Sequence, residues 1–144
     1  MRPARLGLPV ESGTYRITSG FGPRGNSMHR GIDFAHRVPG QSYAGAEVLA
    51  MEDGDVVEAR QGVSGFEVWV WLRHTIAGQR VDTIYGHMPW SSVRVRAGDK
   101  VKRGQYIADV GSEGDSSAPH LHAEVWVGGR VGGTAVDPQP WMES

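Results

Sequence analysis

The stretch His120-Leu-His-Ala-Glu-Val-Trp-Val127, closed by Gly128-Gly129, decides how the rest of this chain is interpreted. Residues two apart in a β-strand share a face, so the sequence predicts a strand with two chemically different faces. The face predicted to meet the core is apolar and consists of Leu121, Ala123, Val125 and Val127. The opposite face, predicted to be exposed, carries His120, His122, Glu124 and Trp126. Two histidines side by side there indicate either a solvated polar surface or a ligand site, and the pattern of this strand alone does not distinguish the two.

Upstream of this strand, further short β-type runs are separated by turn signals. Ala77-Gly78 and Asp53-Gly54 each lie between two such runs and predict hairpins. The runs themselves are residues 47–51, 55–59, 66–72, 81–85, 93–98 and 105–110. Seven or eight short strands, 21 scattered glycines and no sustained helical period predict a mostly β fold. The expected architecture is antiparallel sheets in a two-layer sandwich or open barrel.

Length and composition bound the organisation and exclude several functions. The 144 residues predict a single domain over residues 1–144, with an irregular lead-in over residues 1–12 and a packed tail after Gly132. A net charge of −1 argues against nucleic-acid binding and against capture by an anionic membrane surface. There is no cysteine, so a metal site must use His, Asp or Glu. No apolar run is long enough for membrane insertion, and residues 1–10 lack the apolar segment of a secretory signal.

Four of the six histidines stand in patterns that suggest chemistry. His29-Arg-Gly-Ile-Asp33 places a histidine and an aspartate where they can meet on one ion if the chain bends at Gly31. The alternative is a turn histidine and a capping aspartate. His87 follows a run whose alternation predicts that Val81, Thr83, Tyr85 and His87 share one strand face. Two histidines and one carboxylate would give zinc three protein ligands and leave a position for water, which is the pattern of a catalytic site.

Other polar and aromatic residues have weaker predictions. Glu124 or Asp109 is a candidate partner for the second ring nitrogen of a ligand histidine. His36 and His74 fit no pattern and are predicted to be structural, His36 in a loop and His74 solvated near a hairpin turn. Four tryptophans could either line a groove or cover the sheet: Trp69, Trp71, Trp90 and Trp126.

In combination, these motifs resemble those of the lysostaphin/LytM-type metallopeptidases, a family of peptidoglycan endopeptidases. The family's motifs His-x-x-x-Asp and His-x-His stand here as His29-Arg-Gly-Ile-Asp33 and His120-Leu-His122. Similar segments surround them, namely Ser19-Gly-Phe-Gly-Pro-Arg24 and residues 97–105, 111–122 and 136–138. The ordered set covers nearly the whole chain and is much more specific than either motif alone.

The resemblance implies roles for five of these residues. It implies one zinc ion (Zn2+) per chain, held by His29, Asp33 and His122 at the floor of a groove between loops. It implies that His87 and His120 are catalytic histidines that do not bind the metal. They would orient or deprotonate the attacking water and stabilise the charged intermediate, since imidazole titrates near neutral pH.

Arg24 is a variation on the family pattern. Some members carry a tyrosine shortly before the first ligand, and Arg24 stands at the comparable place. A guanidinium is a fixed cation with forked donors, so Arg24 is a candidate catalytic residue that stabilises the oxyanion. The alternative is a surface arginine in a structural salt bridge.

The substrate implied by the resemblance is the peptide part of bacterial peptidoglycan, in its cross-links or stem peptides. The implied place of action is the cell wall, reached either by phage-type release as an endolysin or as the catalytic domain of a longer secreted protein, and we expect a monomer. A catalytically inactive module that binds peptidoglycan and activates amidases is an alternative, which the complete His and Asp set disfavours. A biotinyl or lipoyl carrier is disfavoured because neither Lys100 nor Lys102 has the required setting. An amidase is disfavoured because the motif set is that of endopeptidases.

Overall fold

A computed structural model describes residues 5–114 and 118–143. Residues 1–4 of the predicted lead-in, residues 115–117 of the loop before the His-x-His strand, and residue 144 lie outside these described parts. In chain order the strands are β1 (Tyr15–Ser19), β2 (Gly22–Arg24), β3 (Ser27–His29), β4 (Ile32–His36), β5 (Glu47–Leu49), β6 (Gly54–Val63), β7 (Glu67–Ile76), β8 (Gln79–Gly86), β9 (Lys100–Val101), β10 (Tyr106–Asp109), β11 (Leu121–Val127) and β12 (Thr134–Val136). Short 3-10 turns occupy Trp90–Ser92 and Gln139–Trp141. None of the described segments forms a helix long and apolar enough to cross a membrane.

The strand β11 lies in the middle of an eight-stranded sheet. The order of that sheet is β1-β4-β11-β8-β7-β6-β9, and β12 also pairs with β11. A second, two-stranded sheet is formed by β5 and β10, and a third by β2 and β3. All these pairings are antiparallel. The prediction of a mostly β fold with antiparallel sheets is therefore confirmed, and the large sheet does not close into a barrel.

The main core lies between one face of the large sheet and the β5–β10 pair. Leu121, Ala123 and Val125 of β11 are completely buried in it, as the alternation of this strand predicts. The small sheet contributes Val48 and Ile107 to the same cluster. Each fully buried aliphatic side chain contributes about 1.5–3 kcal/mol by leaving water. The core thus fixes β11 in position and turns its other face outward.

A hairpin forms at only one of the two predicted Gly turns. The strands β7 and β8 form a hairpin across Ala77-Gly78, as predicted. The prediction at Asp53-Gly54 is wrong, because β5 pairs with β10 whereas β6 pairs with β7 and β9. A Cβ at Gly54 would lie 2.2 Å from the carbonyl oxygen of Arg73, so this glycine lets the chain cross closely from one sheet to the other.

Two other segments differ from expectation. Residues 93–98 form no strand, although the backbone N–H of Arg94 donates to the carbonyl of Ile107. The tail after Gly132 includes β12, which extends the large sheet beside the end of β11. The described part of the lead-in is tied to this tail by a bridge between Leu6 and Met142.

Candidate metal centre

Three side chains from three strands converge on the outer face of the large sheet. Asp33 on β4 lies directly opposite His122 on β11, and His29 ends the neighbouring β3. One oxygen of Asp33 is 3.4 Å from Nε2 of His29 and 2.9 Å from Nδ1 of His122. One ligand atom of each of the three residues lies within 4.8 Å of the others. These are the distances expected of donors arranged around a single small cation.

Gly31 makes this approach possible. A Cβ at this position would lie 2.3 Å from the carbonyl oxygen of Ala123, so a larger residue would push the His29–Asp33 segment away from β11. The predicted bend at Gly31 is therefore where the chain turns between the two motif residues.

The hydrogen bonds determine which ring nitrogen of His29 and of His122 is available to a cation. Nδ1 of His29 donates to the carbonyl oxygen of Gly20 at 2.8 Å, which leaves the lone pair on Nε2. Nε2 of His122 lies 2.8 Å from a carboxylate oxygen of Glu124, so its proton belongs there and Nδ1 faces Asp33. Such partners orient a ligand histidine and increase its basicity. Of the two candidates for this position, Glu124 fills it, whereas Asp109 instead contacts the hydroxyl of Tyr106.

The electrostatics of the centre favour a positive charge between the three side chains. Burial alone would lower the pKa of His122, but the hydrogen bonds to Asp33 and Glu124 raise it to about 9. Burial alone would raise the pKa of Asp33, but the hydrogen bond to His122 and the nearby His120 and His29 bring it below the ordinary value. Both shifts have the same cause, the attraction between the His122 imidazolium and the Asp33 carboxylate. The donor set of two imidazoles and one carboxylate fits zinc and leaves a coordination position open.

His87 and His120 lie beside this centre, with their rings 4.8 Å apart. Nδ1 of each ring donates to a backbone carbonyl, of Glu113 for His87 and of Ala118 for His120. In the neutral state each ring therefore carries its lone pair on Nε2. Burial lowers the pKa of His87, and the neighbouring histidines add to that effect. His87 is thereby kept neutral near neutral pH, with its Nε2 lone pair unprotonated.

The prediction that His87 shares a face with Tyr85 is wrong. Tyr85 is fully buried in the main core, where its hydroxyl accepts the backbone N–H of Met51. β8 ends at Gly86, and His87 has a φ of +76°, in the left-handed region that non-glycine residues rarely adopt. This reversal of the backbone turns the His87 ring to the side of His120.

Phe66 is a site residue that the sequence interpretation missed. Its ring lies 5.5 Å from that of His122 and 6.2 Å from that of His87, against which it stacks. A Cβ at Gly86 would lie 2.5 Å from the Phe66 ring, so that glycine makes room for it. The sequence pattern predicts that a strand starts at Phe66, whereas β7 begins at Glu67, whose φ of +58° turns the chain. Gly65 immediately before it was the available signal of a turn.

The outer face of β11 is not exposed as predicted. His122 and Glu124 are both buried, because the Phe66 loop and the β2–β3 pair surround them. Trp126 donates from its indole nitrogen to Glu124 at 2.7 Å and is half-buried. Because His122 and Glu124 are buried, the protonation state of each depends on its hydrogen-bond partners more than on solvent.

A groove runs over the centre, and Arg24 lies at its edge. The guanidinium of Arg24 donates to the Ser19 hydroxyl at 2.9 Å, and that hydroxyl is 3.4 Å from Nδ1 of His29. The groove is lined by Arg24, Met28, His29, Arg30, Asp33, Gly65, Phe66, His87, His120, His122, Glu124, Trp126 and Arg130. Of the four tryptophans considered as groove candidates, Trp126 lines this groove, whereas Trp69 and Trp71 cover the sheet and Trp90 lies in a 3-10 turn.

The remaining two histidines lie outside the centre. His36 is the last residue of β4 and not part of a loop, and its Nδ1 accepts the backbone N–H of Val38. The prediction that His74 is solvated is wrong, since only 1% of it is exposed. Its ring bonds to the Thr83 hydroxyl at 2.7 Å and to the Asp53 carbonyl at 2.9 Å.

Comparison with known proteins gives consistent matches. The sequence profile of Peptidase family M23 matches residues 27–138. Lysostaphin from Staphylococcus simulans is 34% identical over 134 residues, which is 90% of this chain and 25% of lysostaphin. The solved structure of lysostaphin aligns with this chain with a TM-score of 0.73 and 35% sequence identity. The alignment covers 88% of this chain and 48% of the lysostaphin chain.

Two further proteins, both from Vibrio cholerae, are similar. The peptidoglycan DD-endopeptidase ShyB is 33% identical over 129 residues, or 85% of this chain and 28% of that protein. A zinc-containing peptidase aligns with a TM-score of 0.74 at 31% identity, over 94% of this chain and 40% of the other. The present chain spans about a quarter to a third of the length of the first curated relatives that it matches.

Proposed function

This chain belongs to peptidase family M23, and from that premise we propose that it hydrolyses peptide bonds in bacterial peptidoglycan with a zinc ion held by His29, Asp33 and His122. The observation that carries the proposal is the convergence of these three ligand atoms within 4.8 Å beside a second pair of histidines. When bound there, zinc supplies Lewis acidity, which makes water more acidic and a peptide carbonyl more electrophilic.

His87 and His120 perform the proton transfers in this proposal. Both rings present a basic Nε2 when neutral, because Nδ1 of each is committed to a backbone carbonyl. Nε2 of His120 lies 3.7 Å from Asp33, so it reaches the edge of the metal centre. One ring accepts a proton at Nε2 from the attacking water, and the imidazolium formed in this way passes that proton to the leaving amine. The other ring, when protonated at Nε2, stabilises the negative charge on the carbonyl oxygen. Positioned general acids and bases of this kind contribute about 10²–10⁴-fold in rate.

Arg24 is proposed to stabilise negative charge on the substrate oxygen. Its guanidinium is exposed at the rim of the groove and is held by the Ser19 hydroxyl, which places a permanent cation beside His29. Preorganised donors directed at a developing oxyanion are among the larger contributions to hydrolytic catalysis.

The names of the relatives support peptidoglycan as the substrate. Lysostaphin and a peptidoglycan DD-endopeptidase both align with most of this chain. An open groove over the centre suits an extended peptide better than a small enclosed ligand. We therefore propose that the protein acts at the bacterial cell wall, as a phage-type endolysin or as the catalytic part of an exported hydrolase.

The test is digestion of purified peptidoglycan of two kinds, one with direct cross-links and one with glycine bridges, followed by mass spectrometry. We expect new amino ends in at least one wall, lost with a strong chelator and restored by zinc. The His120→Ala variant should retain one zinc per chain and lose about 10²–10⁴-fold in rate. The His36→Ala variant, altered outside the groove, serves as the matched control and should cleave normally.

Two results would contradict the proposal. Cleavage that persists in the chelator with no metal bound would exclude the zinc mechanism. Zinc-loaded protein that binds both walls and cleaves neither would instead identify a binding module that has the family fold without its activity.

A further inference from the structure

One end of the groove is formed by a stacked pair, Trp126 and Arg130. The guanidinium carbon of Arg130 lies 4.6 Å from the centroid of the Trp126 ring, and both side chains line the groove. The same guanidinium carbon lies 5.6 Å from the centroid of the Trp69 ring. A guanidinium whose face lies on an aromatic ring can still form planar hydrogen bonds through its edge.

The position of Arg130 is fixed by the sheet beneath it. Its backbone N–H donates to a carboxylate oxygen of Asp82 at 2.8 Å. Asp82 is completely buried and also accepts from Arg80 and from the Trp71 indole. The turn after β11 is therefore anchored to β7 and β8, and this anchoring fixes the backbone of Arg130 beside the groove.

The charge on Arg130 lacks a partner within the described residues. Its buried Nε has no hydrogen-bond partner there, although buried polar groups are nearly always paired. The buried carboxylates of Asp82 and Glu124 are engaged elsewhere, since Asp82 pairs with Arg80 and Glu124 bonds to His122 and Trp126. This end of the groove thus offers a forked cation that lacks an anion.

We infer that the Trp126–Arg130 pair is a subsite that binds a carboxylate of the peptide substrate. The inference rests on the proposed function and deepens it by naming the chemistry of the substrate. An arginine fork matches a carboxylate in two parallel hydrogen bonds, and pairs of that kind are the strong, directional ones. The indole of Trp126 provides the apolar floor for the adjoining part of the peptide.

The distance along β11 places the subsite away from the reacting bond. Trp126 is four residues from His122 on the same face, which is about 13 Å at the rise of a strand. An extended peptide covers about 3.3–3.6 Å per residue, so the carboxylate belongs about three or four residues from the scissile bond. Stem peptides that contain diaminopimelate and isoglutamate carry free carboxylates, whereas a glycine bridge carries none along its length. The subsite therefore selects bonds in or next to carboxylate-bearing stem peptides.

The test compares matched synthetic substrates. Cross-linked stem peptides with diaminopimelate are prepared with every carboxylate free, and with the isoglutamate or the diaminopimelate carboxylate converted to the amide one at a time. We expect kcat/KM to fall about tenfold or more for one of the amides, which identifies the carboxylate bound, since a charge-assisted hydrogen bond contributes at this level. Arg130→Met should abolish this difference by slowing the acid form alone, and Arg130→Lys should restore it in part.

Arg60→Met is the matched control. Arg60 also stacks on Trp69, at 5.9 Å, but does not line the groove, and its removal should leave the acid-to-amide ratio unchanged. A wild-type ratio near one would overturn the inference. So would an Arg130→Met variant that loses rate equally on acid and amide substrates, because that result indicates a structural role.

A binding measurement separates this inference from the proposed function. In the His120→Ala variant, the NMR signal of the Arg130 Nε–H is followed as the acid and amide stem peptides are added. A shift with the acid form alone supports the subsite even if no substrate is cleaved, and no shift with either form overturns it even if the enzyme is active.

Discussion

His74 and His122 are both buried on the large sheet, but on opposite faces, and their surroundings differ in charge. His74 lies on the core face, and its ring partners are the neutral Thr83 hydroxyl and Asp53 carbonyl. His122 lies on the groove face between the carboxylates of Asp33 and Glu124. Burial lowers the pKa of His74, whereas the two carboxylates raise that of His122 to about 9 despite burial. The same residue type is thus a neutral hydrogen-bonding core residue on one face and a proposed zinc ligand on the other.

The largest expected effect comes from removing His122, a proposed zinc ligand. His122→Ala deletes one of three proposed zinc ligands and leaves two buried carboxylates without their partner. We expect zinc content to fall from one per chain to near zero and wall hydrolysis to drop by about 10³-fold or more, because the metal contributes several kcal/mol to the reaction. Metal analysis and rates on purified peptidoglycan measure both quantities. A variant that keeps its zinc would show that His122 is not a ligand.

Removing the core histidine should affect stability and leave chemistry alone. His74→Leu deprives the Asp53 carbonyl and the Thr83 hydroxyl of a partner inside the core. We expect the free energy of unfolding to fall by about 1–3 kcal/mol, with kcat and zinc content unchanged. Urea unfolding measures the loss, and Thr75→Ala, an exposed neighbour on the same strand, should stay within about 0.5 kcal/mol of wild type. A lower kcat in the folded His74 variant would contradict the separation of the two faces.

Neutralising Glu124 should give a smaller effect on the centre. Glu124→Gln can keep a hydrogen bond to His122 but removes one of the two charges that increase its basicity. We expect zinc affinity to fall about 10–100-fold, the range found for such outer partners of metal ligands. Competition with a fluorescent chelator measures it. Unchanged affinity would show that Asp33 alone sets the properties of His122.

The smallest expected effect is a difference in how stability depends on pH in chelator-treated protein. Because the pKa of His74 is lowered on folding, the unfolded chain takes up a proton first, and stability is lost as the pH falls below about 6.5. Because the pKa of His122 is raised to about 9, its contribution is complete below about 6.5 and is lost as the pH rises through about 9.

Each slope is limited to about 1.4 kcal/mol per pH unit for one proton. Urea midpoints measured between pH 5 and 10 should show a shallower acid side in His74→Leu and a shallower alkaline side in Glu124→Gln. If either variant changes the opposite side, the assignment of the slopes is wrong.

The surroundings of His122 also show which features of β11 can be predicted from the sequence and which cannot. The alternation of β11 predicted that Leu121, Ala123 and Val125 face the core, because strand geometry is local. It also predicted that His122 and Glu124 share the other face. It did not predict that this face is buried, since Phe66 comes from a loop more than fifty residues away in sequence.

The incorrect predictions have a common cause in long-range packing. Asp53-Gly54 has the composition of a hairpin turn, but β6 begins against β7, and His74 bonds to the Asp53 carbonyl. His87 follows the alternation of β8 in sequence, but its positive φ turns it out of that pattern. Neither outcome can be derived from neighbouring residues, because both depend on what packs beside them.

The amino-acid pattern alone was enough to establish the antiparallel β character of this protein, the apolar face of β11 and the set of residues that can bind a metal. Hydrophobic periodicity and side-chain chemistry are properties of short segments, so they can be recognised without knowledge of the fold. Only the tertiary structure decided that His29, Asp33 and His122 meet within 4.8 Å, that Glu124 supports one of them, and that Arg130 stacks on Trp126 at the end of the groove. Distances between strands and the charge that surrounds a buried ring are set by sheet order, and sheet order is fixed by the packing of the whole core.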